Sequence, residues 1–104
     1  PTVWDDTRFL QGQVGDYVVV ARRSGDDWYL GAMTDWTARD LDIPLGFLGN
    51  GRFLAQIYED AADADRVPTH VNARLREVTG SDTLHVHLAP GGGCAVRFVR
   101  TWAE

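Results

Sequence analysis

The chain has 104 residues, of which 44% are hydrophobic and 24% are charged, and its formal net charge is −5. These values are typical of one globular domain and exclude a disordered or collagen-like chain. The acidic balance and the scattered arginines argue against a nucleic-acid partner, and no apolar run approaches the roughly 20 residues that a membrane-spanning helix needs.

Short apolar runs in the first half of the chain, bounded by turn-forming residues, predict β-strands. The run of residues 17–23 is apolar on both faces through Ala21, as expected of a central strand that is covered on both sides. Residues 24–27, Ser-Gly-Asp-Asp, form a turn signal, so residues 17–23 and 28–34 are predicted to pair as an antiparallel hairpin. Residues 41–45 alternate but contain Pro44, which is typical of an edge strand.

The second half continues this pattern. Residues 53–59 follow a glycine-rich turn signal and alternate as a strand. Residues 60–68 are polar and long enough to cross between two sheets, as Greek-key topology requires. Three further strands are predicted at residues 73–78, 83–88 and 94–100.

Together the runs predict an all-β fold. We expect a single antiparallel β-sandwich of about seven to eight strands with Greek-key connections, formed by residues 13–104. No stretch keeps the apolar period of about 3.6 residues, so helices are expected to be short or missing. Because the chain begins at Pro1 without an initiator methionine, we expect it to be a piece of a longer protein.

Two histidines on one predicted strand are the first candidates for chemistry. His85 and His87 stand two residues apart, so both rings leave the same face and could chelate zinc or copper with a third ligand such as His70. The outward residues of a half-buried strand show the same pattern, and that interpretation is favoured. The acidic run in residues 60–65 could hold calcium, but it lacks the central glycine and closing glutamate of the best-known calcium loop, so a solvated loop is favoured.

The glycines at residues 91–93 and the single cysteine show no catalytic pattern. A phosphate-binding glycine loop leads into a helix, whereas a strand is predicted here, so a bend or bulge is favoured. Cys94 has the inward phase of its strand and is predicted to be an inert core thiol; as the only cysteine, it excludes an internal disulfide. We assign no catalytic, cofactor-binding or metal residue.

The aromatic residues are the strongest remaining signal for function, because sugar rings stack on exposed aromatic planes. Candidates for a stacking platform are Trp4, Trp28, Tyr29, Trp36 and Trp102. Trp28 lies in strand phase beside Leu30, so we expect it to be buried in a core or in a domain interface. Trp4 and Trp36 are retained as candidate interface or sugar-stacking residues.

Two long segments carry a resemblance to a known family. These are PTVWDDTRFLQGQVGDYVVVARRSGDDWYLGAMTDWTARDLDIPL and DTLHVHLAPGGGCAVRF. They resemble the C-terminal domain of glycoside hydrolase family 97, a family of bacterial α-glucosidases and α-galactosidases. The similarity runs from Pro1 to about Arg100. It is firmest at Trp4-Asp5 and residues 17–23, 25–34 and 88–93, and weakest in residues 61–76.

The resemblance implies that this chain is the last of three domains, after an N-terminal β-sandwich and a catalytic (β/α)₈ barrel. The family's catalytic carboxylates and calcium-binding glutamates belong to the other domains and match no position here. We therefore expect a non-catalytic chain without its own cofactor, and calcium in the parent's catalytic region. Residues 1–12 resemble the linker from the barrel. The resemblance also implies the barrel and a homo-oligomer as partners, and a periplasmic or secreted parent.

Three hypotheses for function remain open. The first is a structural and interaction domain of a glycosidase, and the second is a carbohydrate-binding module with an aromatic platform. Saturable tryptophan fluorescence changes with maltooligosaccharides would support the second. The third is a metal-binding domain through His85 and His87, which a shift of melting temperature with zinc would support.

Overall fold

The computed structural model describes residues 4–13, 15–60 and 71–101. These residues form eight strands and one short 3₁₀ turn, and among them no helix has the length and apolarity that crossing a bilayer requires. The elements are β1 (Asp6–Gln13), β2 (Tyr17–Ser24), β3 (Asp27–Thr34), β4 (Arg39–Pro44), the 3₁₀ turn (Gly46–Leu48), β5 (Arg52–Asp60), β6 (Val71–Thr79), β7 (Thr83–Leu88) and β8 (Gly93–Thr101).

The strands form two antiparallel sheets. The larger sheet has six strands in the order β1-β2-β3-β8-β5-β6, and the smaller sheet pairs β4 with β7. Strand β8 lies between β3 and β5, after the chain has crossed to the smaller sheet through β7. This return beside β5 is a Greek-key connection. The predicted all-β antiparallel sandwich is therefore confirmed.

The core consists of the side chains that the two sheets turn toward each other. In the larger sheet, Phe53 and Phe98 are fully buried, and in the smaller sheet Ile43 and Leu84 are fully buried. All four belong to one continuous apolar cluster. Burial of this cluster is the main favourable contribution to folding, since the free energy scales with the apolar area removed from water.

The predicted hairpin of β2 and β3 is present. Ser24 pairs with Asp27, so a two-residue turn of Gly25 and Asp26 joins the strands. Gly25 has a φ of 62°, which glycine adopts without steric cost. The alternation predicted for β7 is also present, with Leu84 buried.

Residues 6–12, which were expected to belong to a linker, form most of β1 and pair with β2. The domain therefore begins earlier than residue 13. This strand escaped prediction because its register shifts between Phe9 and Gln11, and such an irregularity breaks the alternation of apolar and polar residues. A strand at the sheet edge also needs fewer apolar residues than a central strand.

Candidate functional site

The face of the larger sheet that points away from the core is called here the outer face, and one row of residues across it is uncharged. The strand register joins residues across all six strands into one row that contains no charged side chain. The members of this outer row are Phe9, Val20, Gly31, Ala95, Tyr58 and Ala73. Phe9 is 65% exposed, and Met33, two residues beyond Gly31, is 66% exposed. Contiguous exposed apolar residues of this kind mark interaction surfaces.

Strand β2 shows why the sequence indicated cover on both faces. Val19 and Ala21 are fully buried in the core, whereas Val18 and Val20 point to the outer face and are only half-buried. In the described residues, β2 is therefore covered on its inner face, and the predicted cover of its outer face is not seen. The second apolar face has the composition of a buried surface without being buried.

A depression of about 500 Å³ lies on the outer face. Its floor contains Gly31, and a Cβ atom at Gly31 would meet no neighbouring atom within 4 Å. Val18 and Met33 line one side of the depression. Tyr29 and Arg22 line the opposite side. The depression therefore has an apolar floor and one polar, aromatic wall.

Trp4 packs on the wall of this depression. Its ring lies 5.1 Å from that of Tyr29 in an edge arrangement, and the Arg22 guanidinium lies 5.8 Å from the Trp4 ring. The neighbouring Asp5 donates its N–H to the Arg23 carbonyl at 2.8 Å, and its carboxylate accepts the Gly25 N–H at 2.7 Å. These contacts hold the start of the described chain against the outer face.

A second cation lies beside the Tyr29 ring of this wall. Arg97 donates to the Asp27 carboxylate at 3.0 Å and lies 5.8 Å from the Tyr29 ring centre. The hydrogen bond to Asp27, followed by the charge interaction with Tyr29, raises the pKa of Arg97 above its ordinary value. Arginine side chains stay protonated in proteins, so Arg97 is a paired positive charge beside the Tyr29 ring.

Trp36 lies apart from Trp4. It follows the end of β3, whereas Trp4 contacts Tyr29 near the start of that strand. Trp36 is 87% exposed, and its ring lies so close to Gly91 that a Cβ there would be 3.1 Å from the ring atom Cζ3. Gly91 has a φ of 69°. The glycine turn thus supports an exposed indole ring.

The other predicted aromatic residues do not join these two in one platform. Trp28 is 5% exposed and meets Phe47 edge-on at 5.1 Å, as expected for a core residue. Trp102 lies outside the described residues. Among the candidates that are described, only Trp4 and Tyr29 contact each other, at an interplanar angle of 67°. Two rings at this angle do not present one flat stacking surface.

The two histidines of β7 face outward, as predicted, and pair with aspartates of β4. His85 Nδ1 lies 2.7 Å from Asp42 Oδ1, and His87 Nδ1 lies 3.0 Å from Asp40 Oδ1. Within residues 4–13, 15–60 and 71–101, no group of three or more His, Cys, Asp or Glu side chains has a geometry that could hold a metal ion. The suggested third ligand, His70, and most of the acidic run fall outside this description.

One buried carboxylate was missed in the sequence. Glu59 is 8% exposed and accepts hydrogen bonds from Arg74 Nε at 2.6 Å and from the His87 backbone N–H at 3.0 Å. Arg74 also donates to the His85 carbonyl at 2.8 Å. The pair therefore ties β5 and β6 to β7 across the two sheets. Its signal was the inward phase that Glu59 shares with Ile57.

Cys94 is buried and forms no disulfide in the described residues, which agrees with the predicted core thiol. The glycines before it form the turn between β7 and β8, where the Gly92 N–H donates to the Ala89 carbonyl at 2.8 Å. Strand β8 follows this turn, whereas a phosphate-binding glycine loop is followed by the N-terminus of a helix.

Comparison with known proteins supports the resemblance seen in the sequence. A retaining α-galactosidase of Bacteroides thetaiotaomicron is 42% identical over 97 residues, which are 93% of this chain and 15% of that protein. A probable retaining α-galactosidase of Streptomyces bingchenggensis is 38% identical over 95 residues, covering 91% of this chain and 14% of that protein. This chain thus spans about one-seventh of the length of these relatives.

Solved structures show the same relationship. A glycoside hydrolase family 97 enzyme from Pseudoalteromonas sp. strain K8, in complex with acarbose, superposes with a TM-score of 0.93 at 43% identity, covering 97% of this chain and 17% of that one. A β-arabinopyranosidase superposes with a TM-score of 0.73 at 30% identity, covering 93% and 14%. The family model described as "Glycosyl-hydrolase 97 C-terminal, oligomerisation" matches residues 3–99. The chain therefore belongs to the C-terminal, oligomerisation domain family of the family 97 glycoside hydrolases.

Proposed function

We propose that this chain is a non-catalytic packing domain, and that its outer face is covered by the catalytic domain of the same polypeptide. The observation that carries the proposal is the uncharged outer row, which crosses all six strands and leaves Phe9 largely exposed. Solvent-facing sheet surfaces are normally polar. The uncharged row of the outer face therefore indicates an interaction surface.

The opposite surface of the sandwich provides the contrast. The outward residues of β4 and β7 include Asp40, Asp42, His85 and Thr83, and these polar side chains are exposed. Water solvates such a surface without cost. The partner is thus assigned to the larger sheet.

The position of the chain's start identifies this partner. Trp4 lies against the outer face through Tyr29, and Asp5 continues the pairing of β1 with β2 through the Arg23 carbonyl. In a C-terminal domain, the catalytic domain precedes these residues, so the polypeptide reaches the sandwich along the outer face. Oligomer contacts, which the family description names, are part of the same proposal.

The methionine content of the chain permits a direct test. Met33 is the only methionine and is 66% exposed on the outer face. Hydroxyl-radical footprinting should oxidise Met33 readily in the isolated chain and several-fold more slowly in the full polypeptide. The exposed His85, on the smaller sheet, serves as the internal control. Equal Met33 oxidation in both proteins would contradict the proposal.

The parent's activity is proposed from the relatives. Since two are named α-galactosidases and one was solved with acarbose, we propose that the parent hydrolyses α-glycosidic bonds. The isolated chain should release no p-nitrophenol from p-nitrophenyl α-glycosides, whereas the full polypeptide should release it. Hydrolysis by the chain alone would overturn its non-catalytic role. Calcium in the parent and its periplasmic or secreted location stay predictions.

A carbohydrate-binding role is the second candidate, and the exposure of Trp36 favours it. At 87% exposure, with Gly91 against the ring, this indole is positioned to stack a sugar. Titration with maltooligosaccharides, followed by tryptophan fluorescence, separates the two functions. Packing alone predicts no saturable change. A saturable change that is lost in Trp36→Ala, but kept in Trp4→Ala, would establish a sugar site at Trp36.

A further inference from the structure

We infer that the depression on the outer face is the anchor pocket of the domain interface. It accepts one large apolar side chain from the catalytic domain of the same polypeptide, with a carboxylate beside it that pairs with Arg22. This inference rests on the proposed function and adds the position and chemistry of the contact. Interfaces of this kind depend on a few large side chains seated in such pockets.

The shape of the depression follows from residue size along the outer row. Gly31 and Ala95 face each other on the two central strands β3 and β8, and both are exposed. Their neighbours in the row are Val20 on one side and Tyr58 on the other. The small Gly31, beside the larger Val20, Tyr29 and Met33, leaves a hollow in the sheet surface that measures about 500 Å³.

The dimensions of the hollow select its occupant. Tyr29 and Met33 bound it along β3, and four residues of strand span about 13 Å. Across the sheet, its lining runs from Val20 on β2 to Cys94 on β8, where two strand spacings measure about 9–10 Å. An opening of this size admits one bulky side chain but not a second flat sheet. The apolar floor requires an apolar occupant.

Charge gives the second half of the recognition. Arg97 is neutralised by Asp27 at 3.0 Å. Arg22, in contrast, stacks on Trp4, and in the described part of the chain no carboxylate lies within ion-pairing distance of it. A cation at the rim of an apolar pocket favours a carboxylate on the incoming surface, because burying Arg22 without a partner would be costly.

The occupant is assigned to the same polypeptide because Trp4, close to the start of the chain, forms part of the rim. The catalytic domain of the relatives precedes this point, and about six-sevenths of their length lies outside the matched region. The hollow is therefore the part of the sandwich that the preceding domain reaches first.

Filling the hollow tests the inference. Gly31→Leu should leave the melting temperature of the isolated chain nearly unchanged, since open space surrounds the new Cβ. The protection of Met33 is the ratio of its oxidation rate in the isolated chain to that in the full polypeptide. Gly31→Leu should lower this protection by about tenfold, because the side chain of the catalytic domain can no longer enter the depression. Ala95→Leu, from the facing strand, should act in the same way.

Gly46→Leu is the matched control, because Gly46 is also exposed with open space around its Cβ but lies in the 3₁₀ turn. It should leave Met33 protection unchanged. Arg22→Gln should lower protection by a smaller factor than Gly31→Leu, and Arg22→Lys should restore most of the loss. An unchanged protection in Arg22→Gln would overturn the carboxylate assignment.

The outcomes separate the two proposals. Wild-type protection that survives both Gly31→Leu and Ala95→Leu would overturn the anchor pocket and leave the packing function standing. Absence of wild-type protection would overturn the packing function itself. Protection that rises with protein concentration would show that a second copy fills the hollow, and would overturn the assignment to the same polypeptide.

Discussion

The two faces of the larger sheet are built from the same strands, yet one is buried and the other is exposed. On the inner face, Leu30, Val96 and Phe98 are buried against the smaller sheet. On the outer face of the same strands, Gly31, Ala95 and Met33 are exposed. Both faces carry apolar residues at the sheet centre, but within the described ranges the second sheet covers only the inner face.

This difference shows that apolar alternation and burial are separate properties. Alternation is decided by residue type along each strand, whereas burial needs a second layer. Here a two-stranded sheet provides that layer on one side. We propose that the preceding domain provides this layer on the other side. Matched substitutions on the two faces test the difference between them.

The largest effect is expected in the core. Trp28→Ala should lower the free energy of unfolding by about 3–5 kcal/mol, because a buried ring that contacts Phe47 is removed. Tyr58→Ala, an aromatic truncation on the outer face, should cost about 1 kcal/mol or less. Urea denaturation of both variants measures the difference. Equal costs would show that the outer face contributes as much as the core.

An intermediate effect is expected at the polar link between the sheets. Glu59→Gln should cost about 1–3 kcal/mol, because it weakens the charge-assisted hydrogen bond from Arg74 in a site that water barely reaches. Glu77→Gln is the matched control, since Glu77 pairs with Arg52 at 4.0 Å on the exposed surface and should cost at most about 0.5 kcal/mol. Thermal denaturation distinguishes them. A small change in Glu59→Gln would contradict the role of the link.

The smallest effect on stability is expected on the outer face. Phe9→Gln combined with Met33→Gln should change the unfolding free energy of the isolated chain by about 0.5 kcal/mol or less, since both side chains are already exposed. The same variant should bind less of a hydrophobic dye such as ANS. Strong destabilisation would show that these residues pack within the domain and would remove the main argument for a missing partner.

Much of the fold could be predicted because strands with one buried face repeat a simple pattern. The hairpin of β2 and β3, the inward phase of Cys94 and the outward phase of His85 all followed from alternation and turn residues. Strand β1 did not, because its bulge interrupts the alternation and its edge position relaxes the need for apolar residues.

The candidate site was predicted only in part. Trp4 was identified as an interface candidate, and the structure places it on the rim of the depression. The depression itself had no sequence signal, because residues as far apart in the chain as Trp4 and Cys94 line it. The hydrogen bonds of Glu59 to Arg74 and to the backbone of β7 could not be predicted for the same reason.

By itself, the sequence determined the all-β class, the strand phases and the family, because these depend on residue type and local order. The tertiary structure decided which apolar face became the core and which stayed exposed. It also decided that Gly31, Trp4 and Arg22 line one hollow. Such choices depend on strand order in the sheets and on contacts between distant residues, which local alternation does not encode.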